Sequence, residues 1–161
     1  MFPDRDPFGS GWGKRQSEIA VGSGGMWGKG YLKGDQNLLG YLPASVASND
    51  FIFSVLAEET GFVGSVIVLL LFTGIIISTL AVAYVCTDGA GRLLCCGVAT
   101  ITFCHQMVNI GMTVGLLPVT GVPLPFISYG RTFLLTMMTA YGLVQSVAVH
   151  GRVKTPHLSG E

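Results

Sequence analysis

Phe62–Val85 reads FVGSVIVLLLFTGIIISTLAVAYV, a run of 24 residues without a single Asp, Glu, Lys or Arg. A helix needs about 20 apolar residues to cross the ~30 Å hydrocarbon layer of a bilayer, so the run predicts a membrane span. Two further stretches follow the same rule. Leu93–Leu117 also lacks Asp, Glu, Lys and Arg, and Phe133–Val149 is a shorter span with room to extend at its ends. Across the whole chain 50% of residues are hydrophobic and 11% charged, about half the charge of a soluble domain. The expected fold class is an all-α membrane protein with three transmembrane helices.

Working outward, the stretch before the run is Asn49–Gly61, which holds Asp50, Glu58 and Glu59, three of the nine acidic residues. Read as an amphipathic helix over about 48–60, it sets Asp50, Ser54 and Glu58 on one side. Ile52, Val55 and Leu56 fall on another side, suited to a membrane or a protein core. Ser48 or Asn49 can cap this helix, and Asp50 in its first turn is favoured by the helix dipole. Glu58 and Glu59 approach the other end, where negative charge is disfavoured, so they suit a partner or a site. Gly61 is expected to stop the helix or to hinge it.

Met1–Gly40 is rich in glycine and reads as a loop. A phosphate-binding loop ending at Gly28-Lys29 would need glycine at 23 and Ser or Thr at 30, where the chain has Ser23 and Gly30. The dinucleotide pattern fails as well, because no buried strand precedes these glycines, so no nucleotide cofactor is expected. Lys29 and Lys33 are expected to be solvated, with contact to a phosphate group as the alternative. Nine basic residues balance nine acidic ones, which excludes a nucleic-acid partner on charge grounds. Cys86, Cys95, Cys96 and Cys104 form no CxxC pair and read as small apolar residues between helices. The polar first sixty residues hold no signal-peptide core, which predicts further sequence upstream.

After the first span, Thr87–Arg92 forms a short polar turn. His105 and Asn109 stand four apart on the second span, with Gln106 beside them. Polar groups at membrane depth need partners, so this face should point into a bundle and hydrogen-bond to another helix. A proton relay through His105 is the sharper alternative. Leu117–Gly130 contains Pro118, Pro123 and Pro125 and cannot be a regular helix; being mostly apolar, it should tuck into protein or the interface rather than extend into water, since irregular backbone is tolerated where it lines a cavity. Arg92, Arg152 and Lys154 favour the cytoplasmic side. The resulting layout is an outer loop at 1–61, a span at 62–85, an inner turn at 86–92 and a span at 93–117. A re-entrant outer proline-rich loop at 118–131, a span at 132–149 and an inner tail at 150–161 complete it.

Several motifs then occur in one order. Gln16-Ser17-Glu18-Ile19-Ala20-Val21-Gly22-Ser23-Gly24-Gly25 is followed by Gly28-Lys29-Gly30. Asp50-Phe51-Ile52-Phe53, Glu58-Glu59 and Gly61-Phe62-Val63-Gly64 come next. Asn109-Ile110-Gly111-Met112, Gly115-Leu116-Leu117-Pro118-Val119-Thr120-Gly121 and Pro123-Leu124-Pro125-Phe126-Ile127-Ser128-Tyr129-Gly130 close the set. The set resembles the SEDS family (shape, elongation, division and sporulation) of RodA/FtsW type. The resemblance implies a fragment of a larger multi-helix fold, the C-terminal part of a peptidoglycan glycosyltransferase that polymerises lipid II at the outer face of the bacterial cytoplasmic membrane. It implies Asp50 as catalytic base, taking the proton of the acceptor hydroxyl, and a cation or a divalent metal (Mg or Mn) beside the diphosphate leaving group. Lys29, Gln36, Glu58, Ser128 and Tyr129 become candidate substrate contacts. The implied partners are lipid II, undecaprenyl-linked glycan, a class B penicillin-binding protein and the lipid bilayer. A lipid II flippase and a non-catalytic interaction segment are the alternatives, and three spans alone are expected to be inactive.

The chain departs from the family pattern at three places. Ala44 follows Leu42-Pro43 where the family has glutamate, Asn49 replaces a threonine, and Gly130-Arg131 replaces paired glycines.

Overall fold

The computed structural model describes residues 10–30 and 51–151. Four helices account for most of them: α1 (Ser10–Ser23), α2 (Ile52–Val85), α3 (Gly89–Thr113) and α4 (Arg131–His150). The last three are long and apolar enough to cross a membrane. At ~1.5 Å per residue, the 25 residues of α3 and 20 of α4 span roughly 37 and 30 Å. The 34 residues of α2 exceed what a bilayer needs, and that excess carries the site described below.

The spans differ from the apolar runs at their ends, for local reasons. Asp88 accepts a hydrogen bond from the Gly91 N–H at 3.0 Å and so starts α3 at Gly89, which shortens the expected inner turn. The other end of α3 closes at Thr113 because Gly115 adopts φ 80°, and the N–H groups of Leu116 and Leu117 both return to Gly111 O. The connection between α3 and α4 is therefore 114–130, and α4 opens at Arg131.

Two small apolar cores hold the bundle towards its two ends. Phe53, Phe72 and Leu124 form one, with Val68, Ile110 and Phe126 around them. Ala83, Cys95 and Val144 form the other, beside Val82, Val98 and Val147. Between and outside these cores little is covered: 17%, 28% and 11% of the three apolar windows are buried. Side chains such as Leu70, Leu71, Ile77 and Leu135 point outward. Span hydroxyls are satisfied within their own helix, Thr73 donating to Leu69 O, Thr79 to Ile75 O and Thr100 to Cys96 O, as a medium without water requires. A polar bond across helices joins Thr102 Oγ1 to Tyr141 Oη at 2.9 Å. Cys86 and Cys95 are buried as small apolar residues, whereas Cys104 is exposed on the bundle surface.

The largest departure from the sequence reading is α1, which occupies glycine-rich sequence expected to be loop. Its glycines weaken the helix, but its buried face lies on the bundle: Gln16, Ser17 and Ala20 are covered, and α1 touches both α2 and α3. Tertiary contact supplies what propensity lacks. Ser17 Oγ donates to Thr113 O at 3.0 Å, tying α1 to the end of α3.

Candidate functional site at the break in α2

The site begins with a broken helix. Gly61 stands at φ 72° and ψ −165° inside α2, a region that is essentially open to glycine alone. A break leaves the carbonyls of the turn before it and the N–H groups of the turn after it without helical partners. The segment Gly24–Gly30 supplies them. Lys29 N–H donates to Glu58 O and Gly30 N–H to Glu59 O, both at 3.0 Å; Phe62 N–H donates to Gly25 O at 2.9 Å and Val63 N–H to Met26 O at 3.2 Å. The segment closes on itself through Gly28 N–H to Gly24 O at 2.8 Å. Gly28 sits at φ 75°, and a Cβ there would run into the carbonyl oxygen of Glu59. The glycines that read as a loop are thus the condition for a close backbone clamp.

The clamp brings two sequence candidates together. Lys29 Nζ lies 2.9 Å from Glu58 Oε1, and Ser23 Oγ donates to the same oxygen at 3.4 Å. Glu58 is 0% exposed. Its carboxylate sits near the C-terminal end of the 52–60 segment, where the helix dipole opposes it, and burial opposes it further. The ammonium offsets both. Lys29, expected to be solvated, is therefore half of a partly buried ion pair.

The helix expected over about 48–60 starts at Ile52, with Phe51 at its N-cap position. Ser54 is buried beside Glu58 and donates to Phe51 O at 2.6 Å, so this side of the helix faces inward. Ser48, Asn49 and Asp50 lie outside the described residues, as do Gln36 and Ala44. Phe51 is buried, and its ring atom Cε2 lies 3.4 Å from the position of a Cβ on Gly13 of α1. Gln16, on the buried face of α1, has its Oε1 buried with no hydrogen-bond partner among the described residues.

The proline-rich loop forms the neighbouring wall. Leu124 and Pro125 are buried, and Leu124 shares a core with Phe53 of α2. Asn109 Nδ2 donates to Val122 O at 2.7 Å, and His105 Nδ1 stands 3.3 Å from Pro123 O. The two polar residues expected to bond another helix instead fasten this loop. The His105 ring also stacks on Phe133, with centroids 4.9 Å apart. Ser128 Oγ accepts from Leu124 N–H at 2.8 Å while Ser128 N–H donates to Leu124 O at 3.0 Å, so Ser128 closes the loop. Tyr129 is exposed, and Arg131, which stands in place of a glycine, donates to Tyr129 Oη at 3.1 Å and lies 5.9 Å from its ring centre. Phe126 was not singled out by sequence, yet it adopts φ 63° and sets its ring edge-on to Tyr141. A non-glycine residue held there is strained and persists only where its surroundings enforce it.

Among the described residues no group of three His, Cys, Asp or Glu side chains converges to hold a metal ion, and Glu58 already binds Lys29. These residues form no protein cage for Mg or Mn. Two surface hollows beside Cys86, Val147 and Gly151 lie at the opposite end of the bundle.

A membrane-spanning helical bundle with a clamped ion pair and an irregular, partly buried loop at one end is the class that these observations define. The chain belongs to the FtsW/RodA/SpoVE family of cell cycle proteins, whose profile matches residues 1–153. It is 45% identical over 153 residues to the peptidoglycan glycosyltransferase MrdB of Escherichia coli K12, covering 95% of this chain and 41% of that protein. Over 147 residues it is 46% identical to the peptidoglycan glycosyltransferase RodA of Treponema pallidum, covering 91% of this chain and 34% of that protein. A solved peptidoglycan synthase complex that coordinates polymerization and crosslinking contains a similar chain, with TM-score 0.73 and 32% identity over 91% of this chain and 38% of that one. The chain thus spans about two-fifths or less of the length of these proteins.

Proposed function

We propose that this chain forms part of a membrane peptidoglycan glycosyltransferase that polymerises lipid II. The observation that carries the reading is the Lys29–Glu58 pair, clamped at the break of α2 a few residues after Asp50-Phe51, on a helix whose Phe53 packs with Leu124 of the proline-rich loop. The names of the relatives supply the reaction class. In this reading Asp50 takes the proton from the acceptor sugar hydroxyl as its oxygen attacks the anomeric carbon of the donor. The glycosidic C–O bond forms, the bond from that carbon to the diphosphate oxygen breaks, and undecaprenyl diphosphate leaves with the bonding pair. Lys29 meets the charge that grows on the diphosphate, held by Glu58 rather than left to swing in water. A divalent ion, held by a single carboxylate together with the substrate phosphates, would supply positive charge to the leaving diphosphate. Gln36 and Tyr129 are further candidate contacts to the polar part of the substrate.

Arg92 in the first turn of α3, with Arg152 and Lys154 beyond α4, favours placing that end in the cytoplasm. The α2 break then faces outward, in the bacterial cytoplasmic membrane. A class B penicillin-binding protein is the proposed partner, in keeping with the crosslinking function of the similar complex. The test is lipid II polymerisation in detergent, where flipping has no meaning. A hybrid in which this chain replaces the matching part of Escherichia coli MrdB should make glycan, and Asp50→Ala should lower the rate by about 100- to 10,000-fold, the range of general-base catalysis. Full polymerisation by Asp50→Ala removes the base assignment.

A further inference from the structure

The clamp that completes α2 carries two side chains with no part in the ion pair. Met26 and Trp27 are 62% and 84% exposed at the tip of a glycine turn. Their backbone is level with the start of the apolar span. Val63 N–H bonds to Met26 O, and the carbonyl carbon of Trp27 lies 2.8 Å from where a Cβ on Gly61 would stand. Phe62, at the first position of the apolar run, is 61% exposed at the same height. Tyr84 is 85% exposed at the far end of the span. From Phe62 to Tyr84 the rise is roughly 33 Å at ~1.5 Å per residue, close to the ~30 Å hydrocarbon layer. The exposed aromatic groups therefore bracket one bilayer. Trp and Tyr favour these two levels, where the ring body meets acyl chains and the N–H or O–H meets headgroups.

We propose that the Met26–Trp27 turn inserts into the headgroup boundary of the bilayer and that Trp27 anchors the clamp there. The occupant is a lipid surface because the turn sits at span height on the same helix whose outward face is apolar. One consequence concerns the ion pair. Lys29 N–H bonds to Glu58 O and Phe62 N–H to Gly25 O of the same segment, so the anchor holds Lys29 and Glu58 beside the first residue of the apolar span. This agrees with the proposed contact to a lipid-linked diphosphate but does not depend on it.

The experiment is depth-dependent quenching of Trp27 fluorescence with the chain reconstituted in phosphatidylcholine vesicles. The chain has two tryptophans, so Trp12→Phe leaves Trp27 as sole reporter. Vesicles brominated at shallow acyl positions should quench it more than vesicles brominated near the chain ends, and aqueous iodide should quench it less than it quenches free tryptophan. Iodide quenching without lipid quenching, as for a turn in water or awaiting a protein partner, overturns the proposal. Strongest quenching by the deep bromines overturns it as well. Should Trp12→Phe fail to fold, the difference between the native chain and Trp27→Phe isolates the same signal. No glycan product is read, so the outcome is independent of the polymerase assignment.

Discussion

Gly61→Ala strikes the feature on which the site at the α2 break rests. At φ 72° and ψ −165° an alanine carries about 1–3 kcal/mol of backbone strain. Its Cβ would also meet Gly28 N, Met26 O and Trp27 C, and backbone atoms cannot rotate away as a side chain tip can. The chain has one escape: to straighten α2 into a continuous helix, which alanine favours over glycine by about 1 kcal/mol. Straightening withdraws Glu58 O, Glu59 O and the N–H groups of Phe62 and Val63 from the Gly24–Gly30 segment. Four hydrogen bonds at about 0.5–1.5 kcal/mol each are then lost before the restored helical bonds are counted back. Either route gives a destabilisation of roughly 2–4 kcal/mol. The assay is reversible unfolding in detergent, joined to hydrogen exchange at Lys29 and Gly30, whose amide protection should fall. Gly74→Ala is the control, since a Cβ at Gly74 meets nothing within 4 Å, and it should be neutral or slightly stabilising. If the two variants melt alike and Lys29 and Gly30 stay protected, the clamp does not hold the break.

Two other substitutions probe the site's parts. Lys29→Ala removes the ammonium from a carboxylate that is fully buried and should cost about 3 kcal/mol, the low end for a buried pair because the lysine side chain is 29% exposed. Glu58→Gln leaves a lysine that can turn to water and should cost clearly less; equal losses in detergent unfolding would contradict this asymmetry. Asn109→Leu strands Val122 O beneath the proline-rich loop and should cost about 1–3 kcal/mol. Amide exchange should rise locally around Leu124 and Ser128, and an unchanged loop would show that Asn109 does not fasten it.

The sequence was informative where the controlling physics is local. The Phe62–Val85 run named a span because a bilayer imposes a fixed length on any helix that crosses it, and α2 ends at Val85. Gly61 was readable as a stop or hinge from its place after an acidic helix end. Prolines 118, 123 and 125 excluded regular helix, and the structure has none between α3 and α4. The reading failed where a segment's state depends on a distant surface. The glycines of Ser10–Ser23 argue against helix in isolation, yet Gln16, Ser17 and Ala20 find cover on the bundle. His105 and Asn109 were assigned the right need and the wrong acceptor, because helical spacing shows which residues share a face and not what lies opposite.

From its residues alone this chain discloses its three membrane spans, its irregular loop and, through an ordered set of motifs, its family. Those features follow from hydropathy, proline geometry and residue order, which can all be read along one dimension. Only the tertiary structure shows that Gly24–Gly30 caps both sides of the Gly61 break and carries Lys29 to Glu58, 29 positions away. Hydrogen-bond groups orphaned by a helix break can be satisfied by any segment of fitting shape. Which segment fits is decided by the close approach that Gly28 and Gly61 permit, and that approach exists only once the chain has folded.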